Sequence, residues 1–249
     1  KMYLLGDIGN TEIKICLVNS NYKILKKIIL KTNSISYKYL DYNFSFFLKY
    51  STKIQKILFS SVVPIAFKKI KLLISKKFKK KVFELKEINI NNFIQTKVNK
   101  KQVGSDRIAN TIGAINNKEN FIVVDFGTAT TFDVIIKNKY LGGIIAPGIN
   151  LSLKTLSKKA YLIPKINFSK VKKVIGTNTS SAVKSGFFWG YCGLINNIIK
   201  LISRETNKSY KIILTGGLSH LFKNSLNVKT LIKKDLTIYG LYKLLNNNN

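Results

Sequence analysis

The sequence predicts an α/β protein built from two related lobes, and three observations carry that prediction. Near the start, the apolar run Tyr3-Leu4-Leu5 leads into Asp7-Ile8-Gly9-Asn10-Thr11; about half a chain later, Phe121-Ile122-Val123-Val124 leads into Asp125-Phe126-Gly127-Thr128-Ala129-Thr130. Each turn is followed by alternating apolar residues (Ile13, Ile15, Leu17; Phe132, Val134, Ile136), an Asn-containing turn and another apolar run. Period-two alternation is the mark of a half-buried strand, so a three-stranded meander with an Asp-x-Gly turn is written twice. After each meander, helical and strand-like segments alternate, which gives the α/β class.

The turn has a specific physical logic. Glycine permits a tight hairpin and lets a phosphate approach the backbone. Successive N–H groups and the Asn and Thr side chains can then donate to phosphate oxygens. An aspartate beside phosphate needs a cation between them, so Asp7 points to Mg²⁺ held through the nucleotide's phosphates. One such turn would pass for an ordinary hairpin; the duplication favours two lobes, residues 1–117 and 118–249, with a nucleotide cleft between them.

Taken in order, residues 2–31 read as the first meander, 36–50 as a helix and Ile54–Val63 as a strand. The segment Lys68 to Lys81 is the densest in lysine, and Phe67, Ile70, Ile74 and Phe78 stand in it at helical spacing, so the lysines form the solvated face of an amphipathic helix. A short strand at Lys81–Leu85 and a polar loop at Asn89–Gln102 lead to Val103-Gly104-Ser105-Asp106-Arg107, which opens a helix through Ile115. Gly104 supplies the turn there and Ser105 suits the N-cap. Asp106 and Arg107 in the first helical turn point either at a ligand or, equally well from local sequence, at helix capping and a solvent ion pair.

The second meander spans 121–146 and carries Gly142 to Gly148, which leads to a helix over Ile149–Lys159 and then a loop at Ile175–Thr179. A long helix from about Ser180 to Glu205 places Gly186, Gly190 and Gly193 on one side. Glycine costs about 1 kcal/mol inside a helix, so close approach of another backbone is the expected compensation, from this chain or a partner. A strand at Lys211–Leu214 ends in Thr215-Gly216-Gly217, a glycine turn suited to a flat ring lying on backbone. A helix, a short strand and a last helix at Tyr239–Leu245 complete the chain.

Composition narrows the function. The 249 residues are enough for one large domain or two lobes, and 45% hydrophobic residues are enough for real cores. No apolar run approaches the roughly 20 residues of a membrane span and no signal-peptide pattern is present, so a soluble cytoplasmic protein is expected. Cys16 and Cys192 give neither a disulfide framework nor metal-ligand spacing, and His220 is the single histidine, which excludes most Ser-His and Cys-His mechanisms unless it is the base. The formal net charge of +32 alone would suggest nucleic acid. The cations, however, are nearly all lysine, with arginine only at 107 and 204, and Asn and Ile abound throughout. That is the signature of A/T-rich codons, and it argues against a nucleic-acid partner, which would favour Arg. Against eleven acidic residues, Asp7, Asp106, Asp125 and Asp133 all fall in or beside the glycine motifs and invite a chemical explanation.

Duplicated lobes with Asp-x-Gly hairpins and a late glycine pair resemble the actin, sugar-kinase and Hsp70 superfamily, whose lobes are actin-like (ribonuclease H-like). The ordered set Asp7 to Thr11, Ser61-Val-Val-Pro64, Gly104 to Arg107, Asp125 to Thr131, Gly142 to Gly148, Gly176 to Thr179 with Ser185-Gly186, Thr215 to Gly217 and Leu236 to Leu241 resembles the type III pantothenate kinase family over nearly the whole chain. The resemblance implies ATP-dependent phosphorylation of pantothenate at its primary hydroxyl, toward coenzyme A, with Mg²⁺ accompanying ATP. It implies an ATP site from Asp7, Ile8, Gly9, Asn10, Thr11, Glu12, Ile13 and Lys14, joined by Thr128, Gly216 and Gly217. It implies Gly104, Ser105, Asp106, Arg107 and Thr179 at the pantothenate, and Asp106 as the general base. Asp125 would hold a monovalent cation, K⁺ or NH₄⁺, and the protein would be a homodimer with the glycine-faced helix at its interface. Two departures stand out: Lys97 and Asn99-Lys100 where members often carry Tyr and Asn-Pro, and Tyr239 where an acid is common. Alternatives are a regulatory protein of the same fold, since some members are named as transcriptional accessory factors, and a sugar or acetate kinase. The intact Asp7, Asp106, Arg107 and Asp125 argue against the regulator, and the short chain and Gly-x-Asp-Arg element argue against the other kinases.

Overall fold

The computed structural model describes residues 1–246; the last three residues of the expected second lobe, 247–249, lie outside it. In the first half, strands β1 (Met2–Ile8), β2 (Glu12–Asn19) and β3 (Ile24–Lys31) form the expected meander. Helix α1 (Tyr37–Leu48), strand β4 (Ile54–Ser61), helix α2 (Pro64–Phe78) and strand β5 (Val82–Glu84) follow. A one-turn 3₁₀ helix at Leu85–Glu87 and a two-residue strand β6 (Gln95–Thr96) precede helix α3 (Ser105–Ala114). The second half repeats the plan with β7 (Asn120–Phe126), β8 (Ala129–Ile136) and β9 (Lys139–Pro147), then α4 (Ile149–Lys159) and α5 (Thr179–Thr206). Strand β10 (Lys211–Gly216), the single turn α6 (Ser219–Phe222), strand β11 (Thr230–Ile232) and helix α7 (Leu236–Asn246) close the chain.

The two halves share one topology. The first sheet runs β3-β2-β1-β4-β5, and the strands of the second half run β9-β8-β7-β10-β11. In each, a meander of antiparallel pairs is continued by parallel strands: β1 with β4 and β4 with β5, β7 with β10 and β10 with β11. The register is also shared. Asp7 faces Lys14 across its hairpin and Ser60 on the parallel side; Asp125 faces Thr131 and Thr215. The internal duplication thus reaches single residues.

By contact, the chain forms two compact units, one from Lys1–Ala114 together with the segment beginning at Leu236, the other Ile115–Asp235. A division at 117 and 118 follows the repeat in the sequence, whereas the contacts group α7 with the first unit, where it packs along α3. Glycine makes that packing close. A Cβ on Gly240 would run into the carbonyl of Ala109, and one on Gly113 would lie 2.7 Å from the carbonyl oxygen of Leu236. The Thr237 hydroxyl donates to Asn110 Oδ1 at 2.9 Å, both side chains buried.

Each unit has its own core. In the first, Leu4, Ile8, Ile13, Ile15 and Leu17 of the meander meet Phe44 and Phe47 of α1 and Ile70, Ile74 and Phe78 of α2. Ala66, Ile70, Ile74 and Phe78 are the buried residues of α2, four apart, as the amphipathic reading requires, and Pro64 begins the helix at its N1/N2 position. Strand β4 therefore stops at Ser61, two residues before the expected end. In the second unit, Phe188, Cys192, Ile195, Ile199 and Ile202 on one face of α5 pack with Ile122, Val124, Phe132 and Phe222. Asn178 caps α5 in a reciprocal capping box with Ser181, and Asn207 ends it in the left-handed region. The last helix starts at Leu236, three residues before the expected Tyr239, because Leu236, Thr237 and Ile238 are all buried against its unit.

Candidate active site

In the first unit the candidate residues gather at the carboxyl end of β1 and β4. The Asp-x-Gly turn is closed by the Gly9 N–H donating to the Glu12 carbonyl at 3.0 Å, and the Thr32 hydroxyl donates to the Gly9 carbonyl at 2.7 Å. This leaves Asn10, Thr11 and Glu12 exposed at the tip, Asp7 and Lys14 half-buried across the hairpin, and Ile8 and Ile13 wholly in the core. The turn is thus anchored by apolar residues and presents polar ones.

The Gly104 to Arg107 element reaches the same end of the sheet through Ser61. Strand β4 is adjacent to β1, and the Val62 N–H donates to the Ile8 carbonyl at 3.0 Å. The Ser105 hydroxyl lies 2.9 Å from the Ser61 carbonyl oxygen. Gly104, not Ser105, is the N-cap: its carbonyl accepts the first helical bond of α3, from Ile108 at 3.2 Å. Ser105 is fully buried, and its hydroxyl turns inward to Glu84 Oε1 at 2.6 Å. The side chain therefore faces the interior of the unit.

Asp106 is partly buried, with Oδ1 folded back over Gly104 and accepting the Arg107 N–H at 2.8 Å. Burial is the largest influence on its carboxyl and raises its pKa above the ordinary aspartate value; the Arg107 N–H and the positive charges of Arg107 and Lys86 pull it part of the way back. A half-buried carboxyl at a helix N-terminus, made more basic by its surroundings, can take up a proton from a hydroxyl.

In the second unit the corresponding turn is shorter by one residue. The Gly127 N–H donates to the Ala129 carbonyl at 3.0 Å, and Gly127 and Thr128 are exposed. Gly148, the N-cap of α4, packs so closely under the Thr128 carbonyl that a side chain there would overlap it. On the neighbouring strand, Gly216 takes a positive φ of 84°, and a Cβ on it would come within 2.6 Å of the Phe126 carbonyl oxygen and 2.5 Å of Asp125 Oδ1. Asp125, Gly127, Thr128 and Gly216 therefore share one corner, with exposed Gly217 next in the chain. Thr179, also exposed, lies in the first turn of α5 of the same unit.

The residues set aside by composition stay aside. His220 is exposed in the single turn α6, and both cysteines are buried; burial pushes the Cys192 thiol up to about 11. Among the described residues no group of three or more His, Cys, Asp and Glu side chains could hold a metal ion, and no helix is long and apolar enough to cross a membrane. Glu84 is the participant that sequence reasoning missed. It sits in a short strand with no motif around it, and its approach to Ser105 spans 21 positions of chain.

The comparisons decide between the readings. A family model described as type III pantothenate kinase matches residues 3–201. The chain is 56% identical over 242 residues to the type III pantothenate kinase of Pelagibacter ubique (strain HTCC1062), covering 97% of this chain and 98% of that protein. The chain belongs to the type III pantothenate kinase family. Membership makes it a kinase, a transferase whose family uses ATP with a divalent metal. Solved structures agree on the fold. A structure from Campylobacter jejuni, described as a Baf family transcriptional activator, is 24% identical with a TM-score of 0.63, each chain covered to 98%. The inorganic polyphosphate/ATP-glucomannokinase of Arthrobacter sp. strain KM is 12% identical with a TM-score of 0.51, covering 100% of this chain and 99% of that one. At such identities the likeness extends to the two-lobed α/β kinase fold alone. The activator's description therefore lends no weight to a regulatory role, and the family match favours the enzyme.

Proposed function

We propose that this chain transfers the γ-phosphoryl group of ATP to the primary hydroxyl of pantothenate, giving 4′-phosphopantothenate and ADP, the first step toward coenzyme A, with Asp106 as the general base. The observation that carries the reading is the common position of two elements at one end of the first sheet: the exposed Asp-x-Gly turn and the partly buried Asp106, linked through Ile8, Val62, Ser61 and Ser105. Asp106 accepts the hydroxyl proton as the oxygen bonds to phosphorus. The bond from phosphorus to the bridging oxygen breaks, and its electron pair leaves on ADP.

The remaining roles rest on the family resemblance, and the chemistry and exposure of the residues suit them. The N–H groups from Gly9 to Lys14, the Asn10 and Thr11 side chains and the Lys14 ammonium suit phosphate oxygens, with Thr128 serving from the second turn. Asp7, half-buried beside Lys14, fits a Mg²⁺ ion bound through the phosphates, which would supply charge neutralisation. Gly216 and Gly217 suit the nucleotide's ring. Gly104 to Arg107 and Thr179 are assigned to pantothenate, with the Arg107 guanidinium as the two-pronged partner of its carboxylate. Asp125 is assigned to K⁺ or NH₄⁺. A homodimer is supported by α5, where nothing lies within 4 Å of a Cβ placed on Gly186, Gly190 or Gly193. The close approach expected for that glycine face is thus left for a second copy, and Tyr161, Leu162 and Ile175 are exposed in the same unit.

The test is phosphorylation of pantothenate by purified protein with ATP and Mg²⁺, with and without K⁺, beside Asp106→Asn. Turnover that needs K⁺ and is lost in the variant supports the full reading. A folded, ATP-binding protein that leaves pantothenate untouched refutes it.

A further inference from the structure

We propose that the turn Glu84–Lys86 is a brace that positions the catalytic segment: Glu84 holds the start of α3 through Ser105, and Lys86 holds the loop ahead of it through the Lys101 carbonyl. The inference rests on the assignment of Asp106 as the base, and goes beyond it by naming residues that never touch substrate.

Glu84 uses both carboxylate oxygens. Oε1 accepts the Ser105 hydroxyl at 2.6 Å and the Ser61 N–H at 3.3 Å, while Oε2 accepts the Lys86 N–H at 2.6 Å. The Ser105 hydroxyl has one proton and two acceptors in reach, Glu84 Oε1 and the Ser61 carbonyl at 2.9 Å. The nearer acceptor is a carboxylate oxygen, and a charge-assisted bond of this length is the stronger of the two. Ser105 is fully buried, so no water competes for the proton.

The carboxylate is itself held in place. Glu84 and Glu87 form a reciprocal capping box around the 3₁₀ turn, with the Glu84 N–H donating to Glu87 Oε2 at 3.3 Å, and Glu87 pairs with Lys71 of α2 at 3.2 Å. From the same turn the Lys86 ammonium donates to the Lys101 carbonyl at 3.1 Å. Residues 101 and 105 are thus tied to one rigid turn at the end of β5, and the segment between them leads directly into Asp106. The tie also fixes how deeply the Asp106 carboxyl is buried, since its Oδ1 lies over Gly104 between the two anchored points. In a reaction whose catalysis is mostly positioning, such a tie acts on rate.

The experiment compares wild type with Glu84→Ala, Glu84→Gln, Ser105→Ala and the double variant Glu84→Ala/Ser105→Ala. We expect Glu84→Ala to lower kcat/KM for pantothenate about 10- to 100-fold while the KM for ATP stays within about threefold, the scale of a misplaced catalytic group. Ser105→Ala should do the same, and the double variant should be no worse than the poorer single one, because the two single variants share the loss of the Glu84–Ser105 bond. The amide oxygen of Glu84→Gln still accepts from Ser105 and should recover most of the rate. Loosening the brace hydrates Asp106, so the acid limb of the pH profile and an NMR titration of the Asp106 carboxyl should both move to lower pH in Glu84→Ala. Loss of folded protein alone would move neither. A folded Glu84→Ala with unchanged kcat/KM and an unmoved carboxyl titration overturns the brace. Should wild type fail to phosphorylate pantothenate, the functional assignment fails, and the carboxyl titration still decides the brace.

Discussion

Gly104 lies directly beneath the Asp106 carboxylate: a Cβ at position 104 would run into Oδ1 and would lie 3.4 Å from Val62 Cγ1. The atom in the way is the end of a side chain, so it can move. Gly104→Ala should therefore fold with nearly wild-type stability but swing the base out of line, lowering kcat about 10- to 100-fold. Steady-state kinetics with pantothenate, beside a melting curve, checks both halves of the expectation.

Asp106 also links activity to stability. Its pKa is raised by burial. A carboxyl titrating higher in the folded than in the unfolded state lets the protein keep its full stability at pH below the unfolded value. Stability is then lost as pH rises through the folded value. Asp106→Asn removes that loss. Urea midpoints of the variant should gain on wild type as pH rises through this window and coincide with it below. The same substitution should cost at least about 100-fold in kcat, the usual worth of a general base. A midpoint difference that ignores pH would show that Asp106 is not the titrating group.

Packing of the last helix gives a purely structural prediction. Gly240→Ala would force a methyl into the Ala109 carbonyl of α3, a backbone atom that cannot step aside. We expect about 1–3 kcal/mol of destabilisation, the ordinary cost of overpacking, measurable by chemical denaturation.

Gly216 is constrained twice, by its φ of 84° and by the nearness of Phe126 and Asp125. Gly216→Ala should lose at least about 1 kcal/mol of stability and weaken ATP binding, while pantothenate binding is spared. Calorimetric titration with each substrate separates the two effects.

A different surface is tested by Gly190→Arg. Its Cβ would meet nothing within 4 Å, so the isolated chain should accommodate the arginine. Sedimentation should find a dimer in wild type and a monomer in the variant; an unaltered mass would remove this helix face from the interface.

Much of this molecule was legible from short windows of chain. The alternation in residues 13–17 and 132–136, the glycine turns after Asp7 and Asp125 and the four-residue spacing of Ile70, Ile74 and Phe78 each encode an element locally, because strand and helix periodicity are properties of a few consecutive residues. The duplication followed from the same windows read twice, and the candidate site residues from the motifs they sit in. Tertiary structure alone decided the rest. Glu84 meets Ser105 across 21 positions and Thr237 meets Asn110 across 127, and neither pair leaves a trace in its local sequence. It also moved the N-cap from Ser105 to Gly104 and turned the Ser105 hydroxyl inward. The physical reason is that a buried hydroxyl or carboxylate is satisfied by whatever partner the closed fold brings near. That partner is chosen by how β4, β5 and α3 pack, and no local pattern specifies it.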